Sequence, residues 1–246
     1  MSIRRIAHFS AGAASAIATK MSAPDEIWYA ETGGEDSDNE RFLQDCEAWF
    51  GQPVTRIRSE KYKSTWQLWE DKLYLSGIAG APCTGELKIK PRLAAQRADD
   101  VHIFGYTADA NDMRRARQMT ANWPDLKTEF PLIEAGITKA ACLSILNKAG
   151  IKPPRVYSLG LPNANCIPCV KATSPKYWSL IREHFPDEFE RMAQIEARVK
   201  AKLVRVDGER VTLRELPADQ RGYEPLAPEC DFLCGLAEQE INGADK

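Results

Sequence analysis

A chain of 246 residues, 43 % hydrophobic and 28 % charged, is long enough for one large α/β domain with a substantial core. Its 33 Lys and Arg balance 35 Asp and Glu, and the formal charge of −2 argues against wholesale coating of a nucleic acid while leaving room for a local basic patch. No apolar run reaches the roughly 18 residues that a membrane span needs, and the opening Met1-Ser2-Ile3-Arg4-Arg5 leads into a strand-like stretch instead of a signal-peptide core, so a soluble, cytoplasmic protein is expected.

Residues 4–9 read as a strand and 13–21 as a helix of small residues. A second strand is expected at 26–30, then a helix at 39–50 with Asp38 as its N-cap, a short strand at 54–58 and a helix at 65–75. The apolar run 101–104 reads as a buried strand and 127–130 as a fifth. Alternation of this kind implies a three-layer α/β/α domain with a mostly parallel sheet of about five strands. Ligands of such sheets sit beyond the carboxyl ends of the strands, which directs attention to residues 10–15, 31–34 and 105–109.

The second half changes character. A helix at 138–149 ends at Gly150, and Pro153-Pro154 forces an extended stretch. A cysteine-bearing loop follows, then a helical region over 175–202. Two strands, 203–206 and 209–213, are joined by Asp207-Gly208 as a hairpin. The remainder is Pro-rich and irregular. We divide the chain into an α/β domain at 1–172 and an extension at 173–246 that packs on it.

Seven cysteines, an odd number with no sign of secretion, do not suggest a disulfide framework. Cys166-Ile167-Pro168-Cys169 is a C-x2-C and Cys230 and Cys234 form a C-x3-C, spacings that suit metal or redox work. Cys46 and Cys142 sit in helices and read as small core residues.

Small residues between the first strand and its helix, Ser10-Ala11-Gly12-Ala13-Ala14-Ser15, let backbone N–H groups approach an anion at a helix N-terminus. This Ser-x-Gly-x-x-Ser loop resembles the pyrophosphate loop of the adenine nucleotide α-hydrolase superfamily, and Glu31-Thr32-Gly33 looks like its Asp-Thr-Gly. Pro131-Leu132-Ile133 resembles a segment of the phosphoadenosine phosphosulfate (PAPS) reductases. So does the run from Pro154-Arg155-Val156-Tyr157-Ser158-Leu159-Gly160 to Cys166-Ile167-Pro168-Cys169, and so does Pro82-Cys83-Thr84 with Leu87, Lys88 and Pro91. The similarity spans residues 4–172 in order, with departures: Ala11 replaces a glycine, Ala14 replaces the loop acid, and Gly105-Tyr106-Thr107 stands for Gly-x-Arg, with Arg114 and Arg115 as substitutes.

The resemblance implies sulfur chemistry on an adenine nucleotide, PAPS or ATP, with Mg as a candidate companion ion. Nucleotide contacts would come from Ser10, Ala11, Gly12, Ala13, Ala14, Ser15, Glu31, Thr32, Gly33, Lys88, Gly105, Tyr106, Arg114 and Arg115. It implies a [4Fe–4S] cluster on Cys83, Cys166, Cys169 and Cys234, with Cys230 able to replace one ligand and otherwise serving as the catalytic thiolate. Structural zinc is the alternative occupant. Three functions stay open: reduction of a sulfonucleotide to sulfite with a thiol carrier such as thioredoxin, ATP-dependent thiolation of an acceptor such as a nucleobase in a nucleic acid, and a zinc-containing nucleotide-binding regulator.

Of the basic residues, Lys88 and Arg92 are expected at the crevice, while Lys61 and Lys63 suit a solvated face equally well; Tyr62 or Trp66 would stack a base if the acceptor were a nucleic acid. His8 and His102 read as core histidines and His184 as a helix-end or surface group. Trp178, Ile181, Phe185 and Phe189 have the spacing of a helix packed on the core.

Overall fold

The computed structural model describes residues 3–78 and 80–227. Five strands, β1 (Arg5–His8), β2 (Glu26–Ala30), β3 (Val54–Ile57), β4 (Val101–Phe104) and β5 (Lys127–Glu129), form one sheet in the order β3-β2-β1-β4-β5. Every pairing in it is parallel. A parallel ladder needs a crossover between successive strands, and the helices supply it. These include α1 (Ala13–Ser22), α2 (Asp38–Phe50), α3 (Thr65–Lys72), α4 (Pro82–Thr84), α5 (Lys90–Ala95) and α6 (Ala110–Asn122).

Side chains alternate across each strand, so each face of the sheet builds its own core. One face joins Phe9, Ile27 and Tyr29 to Ile17 of α1 and Phe42 of α2, and to Leu143 and Ile145 of α8 (Lys139–Lys148). The short α7 (Pro131–Glu134) precedes α8 and contributes Leu132 to the same cluster. The other face carries Ile6, Trp28 and Ile57. Right-handed crossovers require the chain to return over this second face when it passes from β3 to β4 and on to β5. The direction of travel thus reverses at β1, and the crevice between the carboxyl ends of β1 and β4 is the topological switch point.

A third core gathers Trp69 of α3 with Trp178 and Ile181 of α10 (Pro175–His184), Met192 of α11 (Pro186–Val199), and Leu203 and Val204 beside the hairpin β6 (Val204–Val206)–β7 (Glu209–Val211). Asp207 and Gly208 both have positive φ, 48° and 89°, the backbone that a two-residue hairpin turn requires. Cys46 and Cys142 are fully buried, and Phe185 is buried while Phe189 packs on the same cluster.

Several boundaries differ from the sequence expectation. Ser37, not Asp38, occupies the N-cap of α2; the Asp38 carboxylate instead takes the Arg41 guanidinium and the Arg155 N–H, the second from a segment remote in sequence. Helix α3 stops at Lys72 because Leu73 turns left-handed at φ 47°. The region 175–202 is two helices, broken where Phe185 leaves helical geometry ahead of Pro186. A π-helical turn, Gly85–Ile89, and α5 fill a stretch given no element from sequence.

Candidate active site at the switch point

Ser10 follows β1 and is exposed at the crevice, while Gly12 caps α1. The loop is held by Ser15: its Oγ accepts from Ser10 N–H at 3.1 Å and Gly12 N–H at 3.3 Å and donates to the Gly12 carbonyl at 2.9 Å. The Ala13 N–H donates to the buried Tyr157 hydroxyl at 3.2 Å. A serine hydroxyl therefore occupies donors that a bound anion would use. Ala11, standing where the resembling loops have glycine, sits at φ 54°, a conformation that costs a non-glycine residue about 1–2 kcal/mol.

Gly105 closes the crevice from β4. A Cβ there would lie 2.6 Å from Ser15 Cα, so only glycine lets the two segments meet. Tyr106 stacks with Phe104 and lies under the Arg115 guanidinium, 5.1 Å from it; Arg115 also binds Asp112 and Arg114 is exposed. Burial raises the Tyr106 hydroxyl above its ordinary range.

From β2 comes the Glu31-Thr32-Gly33 turn. Glu31 is tied to Arg58 at 2.6 Å, so its charge is already matched. Thr32 is buried; its Oγ1 donates to Glu35 at 2.6 Å and lies 2.9 Å from Cys166 Sγ. The Ile167 N–H donates to the Gly34 carbonyl at 2.7 Å, so the C-x2-C loop is pinned to this turn through backbone and side chain. Arg155, on the short α9 (Arg155–Ser158), is held by Asp36 through two 2.8 Å bonds. That brings the Tyr157 and C-x2-C segments to the same edge.

Cys169 lies within electrostatic range of both Cys83 and Cys166. Cys83 and Cys169 pack against one apolar cluster, and the Cys169 N–H donates to Tyr177 at 2.7 Å. Burial pushes the Cys166 thiol up to about 11, opposed in part by Lys88; burial also raises Cys83, with Cys169 adding to the rise and Lys171 and Lys88 opposing it. The exposed Lys88 is thus the cation that Cys83, Cys166 and Tyr106 share.

Thiolate donors suit an iron–sulfur cluster or zinc, yet among the described residues no three His, Cys, Asp or Glu side chains converge as a ligand set. Cys166 faces Thr32 instead. Cys230 and Cys234, the expected nucleophile and fourth ligand, lie outside the described residues.

Other expectations fall elsewhere. Arg92 is buried under Trp123. Tyr62 and Trp66 are buried as well, and Trp66 is covered by Arg191 at 4.5 Å, so neither is available to stack a nucleobase. His8 and His102 do belong to the sheet core, and their ring nitrogens meet at 2.8 Å. This pairing was invisible in sequence because β1 and β4 are joined only by the fold.

The chain matches no family model and no curated protein in sequence. Among solved structures it is similar to phosphoadenylyl-sulfate (PAPS) reductase from Candida auris, in a phosphate complex. Identity is 10 %, TM-score 0.52, and the match covers 68 % of this chain and 82 % of that one. No helix of the described residues is long and apolar enough to cross a membrane. The five-stranded parallel sheet with its flanking helices is the α/β fold of a PAPS reductase.

Proposed function

We propose that this chain performs sulfur chemistry on an adenine nucleotide, as a sulfonucleotide reductase. The observation that carries the reading is the 2.9 Å contact between Thr32 Oγ1 and Cys166 Sγ, because it ties a cysteine loop to the mouth of the switch-point crevice. Phosphates would lie at residues 10–15, at the positive end of α1, with Ser15 turning its hydroxyl from the loop amides to the ligand. Lys88 would offset their charge.

In the reaction proposed, the Cys230 thiolate attacks the sulfur of the sulfonucleotide. The sulfur–oxygen bond breaks, the nucleotide phosphate leaves with the electron pair, and an S-sulfo-cysteine remains. A second thiolate then attacks the cysteine sulfur, a disulfide forms and sulfite departs. A dithiol carrier protein returns the disulfide to thiols. No step requires a metal.

The electrostatic coupling of Cys169 to both Cys83 and Cys166 supports a second reading, an ATP-dependent sulfurtransferase that adenylates its acceptor. With one tail cysteine these three thiols would take a [4Fe–4S] cluster, or zinc, under either reading. Release of sulfite from PAPS with dithiothreitol supports the reductase. Pyrophosphate release from ATP without sulfite formation from PAPS refutes it in favour of the transferase. Nucleotide binding with neither product would leave a regulator. Iron, sulfide and zinc analysis of anaerobically purified protein decides the metal.

A further inference from the structure

Arg92 lies in α5 on the second face of the sheet and is 7 % exposed. Neither its Nε nor its Nη2 meets an acceptor among the described residues. Together those groups form one edge of the guanidinium, the edge that matches two carboxylate oxygens. Four other arginines of the chain use that edge: Arg4 on Asp100, Arg5 on Glu129, Arg41 on Asp38 and Arg155 on Asp36, at 2.6 to 3.3 Å. In Arg92 the edge is buried and meets no acceptor among the described residues.

The surroundings do not neutralise it. Burial lowers the proton affinity of Arg92, and no carboxylate among the described residues opposes that. A guanidinium nevertheless keeps its charge. Trp123 covers it at 5.1 Å from the ring centroid, and the paired His8 and His102 lie within electrostatic range on the sheet side. Both imidazoles are held neutral, by burial first and in part by Arg92 itself, so they add polar atoms without adding to the positive charge. An uncompensated buried cation is among the least favourable arrangements in a folded chain, and its retention is explained if its counterpart comes from outside.

We propose that Arg92 binds an oxyanion group, two oxygens presented side by side by a carboxylate, a phosphate or a sulfate, under Trp123 and beside His102. The site is separate from the switch-point crevice. Helix α6 leaves the carboxyl end of β4 and ends at Asn122, before β5 begins, so Trp123 stands toward the amino ends of the strands. Trp123 is 38 % exposed, which leaves the guanidinium one side chain from solvent.

The test is a titration of the full chain, labelled with nitrogen-15, with inorganic phosphate, sulfate or acetate. The Arg92 Nε–H resonance is assigned by its loss in Arg92→Met. The expected result is a saturable shift of that resonance, with a rise in wild-type Tm of about 3–6 °C at ten times Kd that Arg92→Met does not show. In anion-free buffer Arg92→Met should be at least as stable as the wild type. A response to phosphate and sulfate alone assigns a tetrahedral ligand, and a response to acetate a carboxylate.

A resonance unmoved by all three anions overturns the proposal. So does an equal Tm rise in both proteins, which would place the anion in the crevice. Lower stability of Arg92→Met without anion also overturns it, since an acceptor within the chain, such as the unpaired buried Oε1 of Gln96, would then be the partner.

Discussion

Gly33→Ala is the sharpest test of how the β2 turn positions Thr32. Gly33 has φ +63°, and an added Cβ would lie 2.3 Å from the Lys63 carbonyl oxygen and 3.0 Å from Ser64 Cα. The left-handed backbone alone costs alanine about 1–2 kcal/mol. Separating two backbone segments costs about 1–3 kcal/mol more, because the Thr65 N–H donates to the Thr32 carbonyl at 2.9 Å and holds the turn against α3. The sum, about 2–5 kcal/mol, corresponds to a fall in Tm of about 5–15 °C for a chain of this size. Gly51→Ala is the control: φ is +68° there, but nothing lies within 4 Å of the added Cβ, so only the conformational part remains. Thermal unfolding followed by circular dichroism compares the two variants directly. If they melt within about 2 °C of each other, the backbone contact at Gly33 carries no energy and the turn is not the rigid support argued for it.

Further outcomes follow from single groups. The Arg41 guanidinium, against a desolvation penalty and helped by the Arg155 N–H, holds Asp38 down to about 2. A depressed carboxylate contributes stability that is complete above its unfolded pKa and lost as pH falls through the folded one, so roughly 2 kcal/mol should disappear between about pH 4 and pH 2 in acid unfolding, and not in Asp38→Asn. Glu196 is buried and accepts from Leu203 N–H at 2.8 Å and Leu213 N–H at 2.7 Å. Glu196→Gln turns one acceptor into a donor facing a donor and should cost about 1–3 kcal/mol by urea unfolding. With its thiol pushed up to about 11, Cys166 should alkylate slowly at neutral pH, and mass spectrometry of iodoacetamide-treated protein would refute this if Cys166 were modified first. Under the proposed function, Ser10→Ala should weaken nucleotide binding about fivefold by calorimetry, the worth of one hydrogen bond, while leaving metal content unchanged.

Strands β1, β2 and β4 were legible as short apolar runs, and Ile6, Ile27 and Ile103 prove fully buried, whereas β3 and β5 carry exposed polar residues and lie at the two edges of the sheet. Helix ends were read less well, because nonlocal partners decide them. Asp38 has the composition of an N-cap, but Arg155, 117 residues away, takes its carboxylate, so a local rule had to fail there. Pro91 concealed α5: proline marks a break in sequence, yet here it occupies the first turn of a helix, where its missing N–H is harmless. At the site, the small residues and glycines were legible, since Gly33 and Gly105 are required by contacts that any Cβ would block. The partners of those residues were not. That Lys88 is shared by two thiols and that His8 meets His102 depend on segments brought together only by the fold.

Two alanines bear on which chemistry the crevice serves. Ala14 leaves the α1 loop without a carboxylate, and Asp or Glu is also absent from the first turn of α1. Metal-assisted cleavage of ATP at that loop needs an oxygen ligand for a hard cation, whereas binding phosphates by backbone amides needs only the amides and the helix dipole. Ala11 holds a left-handed backbone at 54° without glycine's freedom, so the loop keeps its tight turn at a conformational cost. A loop that retains a strained turn while lacking the acid suits a nucleotide held by its phosphates and attacked elsewhere. Under the proposed function, that is the arrangement a thiolate reaction at sulfur requires, and it favours the reductase reading over the transferase reading.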